Sequence, residues 1–154
     1  MKFGKVDDPS KIDFTLPKDH PDTKKTLSNY KPVSTPNLYV GCAKWNRADL
    51  KGFYPRGTKD ELEYYSRQFN SIELNATFYR IFPADVFAGW YEKTPADFRF
   101  FPKFFQGVSH WKRLNDFEGY LNEYLLNASN LKEKLEMAFL QTHNNFKPTN
   151  MDRL

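Results

Sequence analysis

Cysteine occurs once in the 154 residues, at Cys42, which excludes an internal disulfide and any zinc site built on several thiolates, and fits a reducing compartment. No apolar run approaches the roughly 18 residues needed to span a bilayer. The opening Met1-Lys2-Phe3-Gly4-Lys5 leads into acidic and proline-rich sequence, not the apolar core of a secretion signal. A cytoplasmic protein without a membrane partner is the expectation. Histidine is scarce, and His20, His110 and His143 lack paired spacing, so no metal is expected. No Gly-x-Gly-x-x-Gly follows the first strand-like run and no Gly-Lys-Ser/Thr occurs, which argues against dinucleotide and P-loop folds. The charge excess is small: 23 Lys plus Arg against 19 Asp plus Glu, a net +4. Acids and bases alternate in Lys59-Asp60-Glu61 and Lys132-Glu133-Lys134, a pattern that reads as solvated helix faces. No basic cluster is interleaved with aromatics, so nucleic acid is not the expected partner.

What is present is enough for one core, with 40% hydrophobic residues, and an aromatic share of 18% that includes 15 Phe and 9 Tyr. Residues 1–36 carry five prolines, many charges and no sustained apolar period, which predicts a flexible arm with little regular structure, anchored at most by Phe14, Leu16 and Tyr30. Residues 37–154 form the domain.

There the pattern turns to short β-type runs alternating with helical ones. Leu38–Cys42 is a first strand. The Ser/Thr-x-x-Glu spacing of Thr58-Lys59-Asp60-Glu61 predicts a helix start, followed by Leu62, Tyr65 and Phe69 on one face. Ser71–Asn75 is a second strand, and a helix after Pro83 presents Val86, Phe87, Trp90 and Tyr91 until Thr94-Pro95 stops it. Phe98–Phe104 is a third strand, weakened by Pro102, which cannot donate to a ladder. Asn115 is expected to cap a third helix through Leu125, with Leu131 and Leu135 extending it. Met137–Thr142 is a fourth strand, and Thr149 is placed as a cap behind Pro148. Four such units leave a TIM-like (β/α) barrel, of which a chain this long supplies about half, since a whole one takes about 250 residues.

Barrel sites lie at the carboxyl ends of strands, so polar residues there need a reason. Alternation in Ser71-Ile72-Glu73-Leu74-Asn75 turns Ile72 and Leu74 toward helices and Glu73 and Asn75 toward the interior. Lys103 ends the third strand, Gln141 lies in the fourth, and Gly41 near the end of the first permits close approach of a ligand or loop. Two readings follow. Glu73 and Lys103 form a buried ion pair closed by Asn75 and Gln141, or they are functional, with Glu73 as general base and Lys103 stabilising negative charge. Clustering at one end favours function. Trp45, Tyr54, Tyr79 and Arg80 are further candidate ligand contacts, and His110, after the third strand, is the histidine best placed for a site.

The ordered elements Tyr39-Val40-Gly41, Trp45, Phe53-Tyr54-Pro55, Tyr64-Tyr65, Phe69 to Asn75, Thr77-Phe78-Tyr79-Arg80, Trp90, Phe98-Arg99-Phe100, Lys103, Ser109-His110 and Phe139-Leu140-Gln141 resemble the YecE-like proteins, domain of unknown function 72. The resemblance implies a TIM-like barrel without an established activity, and implies that this chain corresponds to its amino-terminal half. It departs from the family pattern at Gln141-Thr142-His143-Asn144-Asn145, where many relatives read Gln-Leu-Pro-Pro. The residues support a hydrolase or isomerase acting on a small polar or phosphorylated ligand. A non-catalytic binding module and an inactive truncated fragment stay open as alternatives. The exposed edges of a half barrel also point to a homodimer.

Overall fold

The computed structural model describes residues 8–13, 15–29 and 36–154. The chain divides into two compact units, Met1–Asn37 and Leu38–Leu154. In the first, Pro9–Lys11 make one 3-10 turn and α1 (Thr23–Ser28) is a helix with no buried residue. At six residues α1 is too short to show an apolar period, so the sequence pattern carried no sign of it. Leu16, one of the three expected anchors, is 87% exposed, while Phe14 and Tyr30 lie outside the described residues.

The second unit is a mixed α/β fold around a small parallel sheet of order β1-β2-β3, built from β1 (Gly41–Cys42), β2 (Ser71–Leu74) and β3 (Arg99–Pro102). Gly41 pairs with Ser71, and Glu73 with Phe101. Between the strands run α2 (Glu61–Tyr65), α3 (Ala76–Tyr79) and α4 (Ala84–Lys93). After β3 come a π-helical turn, Gly107–Trp111, then α5 (Glu118–Ala128) and 3-10 segments Ser129–Lys134 and Pro148–Arg153. Helix and sheet meet in one aromatic-rich core that includes Tyr65, Ile72, Phe87, Phe98, Phe100 and Tyr124. Among the described residues no helix is long and apolar enough to cross a membrane.

Several local expectations are corrected. Asp60, not Thr58, caps α2: its carboxylate accepts from Glu63 N–H at 3.0 Å, and Thr58 Oγ1 instead donates to Pro55 O. Asp60 also faces Lys93 Nζ at 2.7 Å, a second reason for the acid at this position. Asn115 lies two residues ahead of the α5 cap position, Phe117, and its amide donates to Lys112 O and Arg113 O. It thereby ties down a loop in which Arg113, Leu114 and Asp116 all take the left-handed conformation. The last 3-10 segment starts behind Lys147, not at Thr149, because Pro148 needs no N–H partner in a first turn.

The fourth strand expected over 137–142 is reduced to one isolated parallel bridge, Lys103 to Phe139, preceded by another outside that range, Phe100 to Leu135. Two features of β3 and its neighbour explain this. Arg99 and Lys103 donate toward β2, so the even-numbered residues carry the donors for the other edge, and there Pro102 has none. The carbonyls of Phe100 and Pro102, two residues apart, accept from Glu136 and Phe139, three apart, so the incoming segment carries one extra residue as a bulge.

Lys134 overturns the reading of its charge run as a solvated face, being only 4% exposed. Helical geometry breaks at Lys132, whose φ is 50°, and Lys134 is turned inward. Its ammonium donates to Tyr91 O and Thr94 O, both at 2.6 Å, and to Thr94 Oγ1 at 3.2 Å, supplying partners to carbonyls at the end of α4. Burial lowers its pKa.

Candidate functional site

The β2 alternation buries Ile72 and Leu74 on the helix side and leaves Glu73 exposed on the opposite face. There a hollow of about 380 Å³ is lined by Tyr39, Gly41, Ser71, Glu73, Phe101 and Phe139. Gly41 is needed because a Cβ there would stand 2.0 Å from Ser71 O, so the close approach it permits is that of the adjacent strand. Tyr65 secures the same strand ends from below: its hydroxyl accepts from Cys42 N–H at 2.5 Å and donates to Ser71 O at 3.1 Å.

Glu73 and Lys103 do not form the ion pair of the structural reading. Glu73 Oε1 accepts from Asn75 Nδ2 at 2.9 Å, and among the described residues no cation lies within salt-bridge distance of it. The Lys103 ammonium instead donates to Gln141 Oε1 and sits 4.3 Å from the centre of the Phe78 ring. Its backbone is fixed from three sides: its N–H reaches Leu74 O, and its carbonyl accepts from Thr77 Oγ1 at 2.7 Å and Tyr124 OH at 3.3 Å. Lys103 is therefore aimed by its own scaffold, independently of Glu73.

Phe78 continues the cluster. Its ring meets His110 edge-on at 4.9 Å, and His110 meets His143 at 5.4 Å. Burial, with the nearby charges of His143 and Lys103, lowers the pKa of His110. The His110 Nδ1 lies 2.8 Å from Ser109 Oγ. Histidines 33 positions apart in sequence are thus brought side by side by the segment that follows β3. No spacing rule marks such a pair, although the resemblance did mark Ser109-His110. Among the described residues no group of three His, Cys, Asp or Glu side chains converges.

A second hollow, also about 380 Å³, opens beyond β1 and β2, lined by Ala43 to Asn46, Leu74, Asn75, Ala76 and Tyr79. Tyr79 is 69% exposed, whereas Trp45 packs edge-on against Trp90 and is partly held by the core. Asn75 is common to this hollow and to the Glu73 hydrogen bond. Tyr54 is buried, its hydroxyl donating to Trp45 O, and burial pushes its pKa up to about 12. Its place is under the Trp45 loop. The Arg80 guanidinium carbon lies 4.1 Å from the centre of the Phe82 ring.

Residues 39–154 match the family described as "Protein of unknown function DUF72". Among curated relatives, the UPF0759 protein YecE of Escherichia coli K12 is 30% identical over 120 residues, covering 76% of this chain and 42% of that protein. The UPF0759 protein YunF of Bacillus subtilis 168 is 36% identical over 78 residues, 49% of this chain and 27% of its own. Two crystal structures of a DUF72 family protein from Enterococcus faecalis V583 are similar in fold. One aligns with a TM-score of 0.61 at 22% identity, covering 75% of this chain and 44% of that one. The other gives 0.53 at 24% identity, covering 60% and 40%. The chain spans less than half the length of these relatives.

Proposed function

The chain belongs to the DUF72 family, and from that premise we propose that residues 37–154 build about four β/α units of a TIM-like barrel, with a ligand site at the carboxyl ends of the strands. Glu73 acts there as general base and Lys103 stabilises negative charge, in a hydrolase or isomerase reaction on a small polar or phosphorylated substrate. The observation that carries this is the Glu73 carboxylate: exposed, facing a hollow, oriented by Asn75 and, among the described residues, not spent on a cation. A carboxylate held this way can take a proton without breaking a structural ion pair. Lys103 complements it, held to Gln141 and Phe78 and able to turn to a substrate oxygen with its backbone unmoved. Tyr79, Trp45 and Arg80 supply ring and cationic contacts at the rim, and His110 stands behind Lys103.

The open face of the sheet, where Tyr39 and Phe101 meet edge-on at 5.4 Å, supports pairing with a second copy, and an invariant monomer mass across concentrations would refute that part. A cytoplasmic location belongs to the same proposal and is supported by the single cysteine.

The test of the site is Glu73→Gln. An exposed functional carboxylate predicts a stability change within about 0.5 kcal/mol, together with loss of turnover, and of binding at this hollow, across a panel of phosphorylated and glycosidic compounds. Read as thermal shift and as product, the panel also separates catalysis from binding alone. A loss of several kcal/mol of stability at unchanged ligand affinity would sink the functional reading.

A further inference from the structure

A third hollow has a different chemistry from the two at the strand ends. It measures about 190 Å³ and is lined by Ser109, Arg113, His143, Asn145, Phe146, Asn150 and Arg153. It shares no residue with the Glu73 hollow. Among the described residues two guanidiniums and an imidazole border it, and no carboxylate does.

Among the described residues three of the seven arginines have a carboxylate partner, and Arg56 and Arg80, outside this hollow, lack one as its two arginines do. Arg47, Arg67 and Arg99 each lie against a glutamate. Among the described residues, Arg113 and Arg153 have no carboxylate within salt-bridge distance, and the contact between them is a long bond, 3.5 Å, from Arg153 Nη1 to Arg113 O. Two like charges on one small hollow repel unless something negative joins them. The neighbouring groups also present donors. His143 Nδ1 accepts from Asn145 N–H at 3.1 Å, so in the neutral ring the proton is on Nε2, which is left as a donor. Asn150 uses its carbonyl oxygen to accept from Lys147 N–H at 3.2 Å, so its amide NH2 is the end available to a ligand.

The two arginines come from distant segments that are separately anchored. Arg113 has φ 52°, and its loop is fixed by Leu114 N–H to Val108 O and by the Asn115 amide to the carbonyl of Arg113 itself. Arg153 is carried by the 3-10 segment Pro148–Arg153, whose start is closed by the Lys147 to Asn150 bond. Loop and segment thus place planar, fork-shaped donors on the same hollow, the geometry that suits oxygens of a tetrahedral anion. The volume lies below the roughly 300 Å³ at which drug-sized pockets begin, which limits the occupant to one small anionic group.

We propose that this hollow is an oxyanion site that takes a phosphate group, as the free ion or as a monoester, between Arg113 and Arg153. It shares no lining residue with the Glu73 hollow, although its His143 meets the His110 ring near Lys103, and signals of Arg113 and Arg153 report on it alone.

The experiment follows the arginine side-chain Nε–H signals of the 15N-labelled chain by NMR during titration with inorganic phosphate, with glycerol 3-phosphate, and with chloride at matched ionic strength. The expected result is saturable movement of the Arg113 and Arg153 signals with phosphate and not with chloride. Stronger binding of glycerol 3-phosphate assigns the site to a monoester, and stronger binding of inorganic phosphate to the free ion. Arg113→Gln and Arg153→Gln should each weaken binding by about ten-fold or more, while Arg67→Gln, at an exposed pair with Glu63, leaves it unchanged. Absence of a saturable response in the unmodified chain overturns the proposal, as does an equal response to chloride. Folded variants that bind phosphate like the unmodified chain overturn it too.

Discussion

Lys134→Met tests whether a buried lysine stabilises this fold or only burdens it. Methionine keeps the length of the stem and removes the ammonium. Tyr91 O would keep two other donors, Thr94 N–H at 3.4 Å and Thr94 Oγ1 at 3.2 Å, but Thr94 O would lose the one partner that the described residues provide. An orphaned buried carbonyl costs about 1–3 kcal/mol, and a lost charge-assisted bond about 1.5–3 kcal/mol. Relief of the desolvation cost of the ammonium, the same cost that lowers its pKa, offsets part of this. The balance is a loss of about 2–3 kcal/mol at neutral pH, read from urea melts of both proteins with unchanged m. The pH dependence supplies a second reading. Because the folded pKa lies below the ordinary 10.5, the unfolded state holds the proton more tightly, and folding releases it in the window between the two values. Stability of the natural chain should therefore rise relative to the Met variant as pH climbs toward 10.5, and the excess should disappear as pH falls through the folded pKa. Tyrosine ionisation is common to both proteins and cancels. A Met variant as stable as the natural chain, with a parallel pH profile, would refute the reasoning.

Gly41→Ala should cost about 3 kcal/mol or prevent folding, since its Cβ would meet Ser71 O at 2.0 Å. Gly89→Ala inside α4, where a Cβ meets nothing within 4 Å, should instead stabilise by roughly 0.5–1 kcal/mol, and paired urea melts compare the two. Buried Tyr54 and Tyr124 have pKa values raised to about 12 by burial, and that of Tyr65 is raised as well, so all three stay protonated when their unfolded counterparts ionise near 10. Their contribution is complete below pH 10 and, for Tyr54 and Tyr124, is lost as pH rises through about 12, at up to about 1.4 kcal/mol per pH unit for each. The tyrosinate absorbance that Tyr124 contributes, read as the difference from Tyr124→Phe, should accordingly appear together with unfolding, and its appearance in a still folded protein would contradict the assignment.

The parts of the fold that were legible in the sequence are those where one residue's neighbours along the chain decide its environment. Ile72 and Leu74 against Glu73 is a period-2 pattern, and it placed the three side chains on the correct faces. Phe87 and Trp90, closed by Thr94, likewise mark the face and end of α4. Helix starts were less legible because two candidates compete within one turn. Thr58 and Asp60 are both good caps, and the choice fell to Asp60, which also meets Lys93 from another element. Lys134 was illegible for the same reason: its partners, Tyr91 and Thr94, lie 40 or more positions back, and a local charge run gives no hint of them. The fourth strand failed where a donor-less Pro102 meets a segment with one residue too many, and only the proline is visible in sequence.

The candidate site divides along the same line. Glu73, Ser71 and Gly41 belong to strands whose alternation and register are local, so their meeting on one hollow follows from the strands themselves. The Lys103 environment does not. Its alternation puts it on the Glu73 face, yet the partners that hold the ammonium, Gln141 and Phe78, arrive from a bulged segment and a short helix. A sequence argument that pairs opposite charges on adjacent strands therefore chose the wrong partner for both residues. The amides take the places that the pairing assigned to charges: Asn75 orients the carboxylate and Gln141 the ammonium. Each charge is thus positioned without being neutralised by the other, a ground state in which Glu73 can accept a proton and Lys103 can attract an anion.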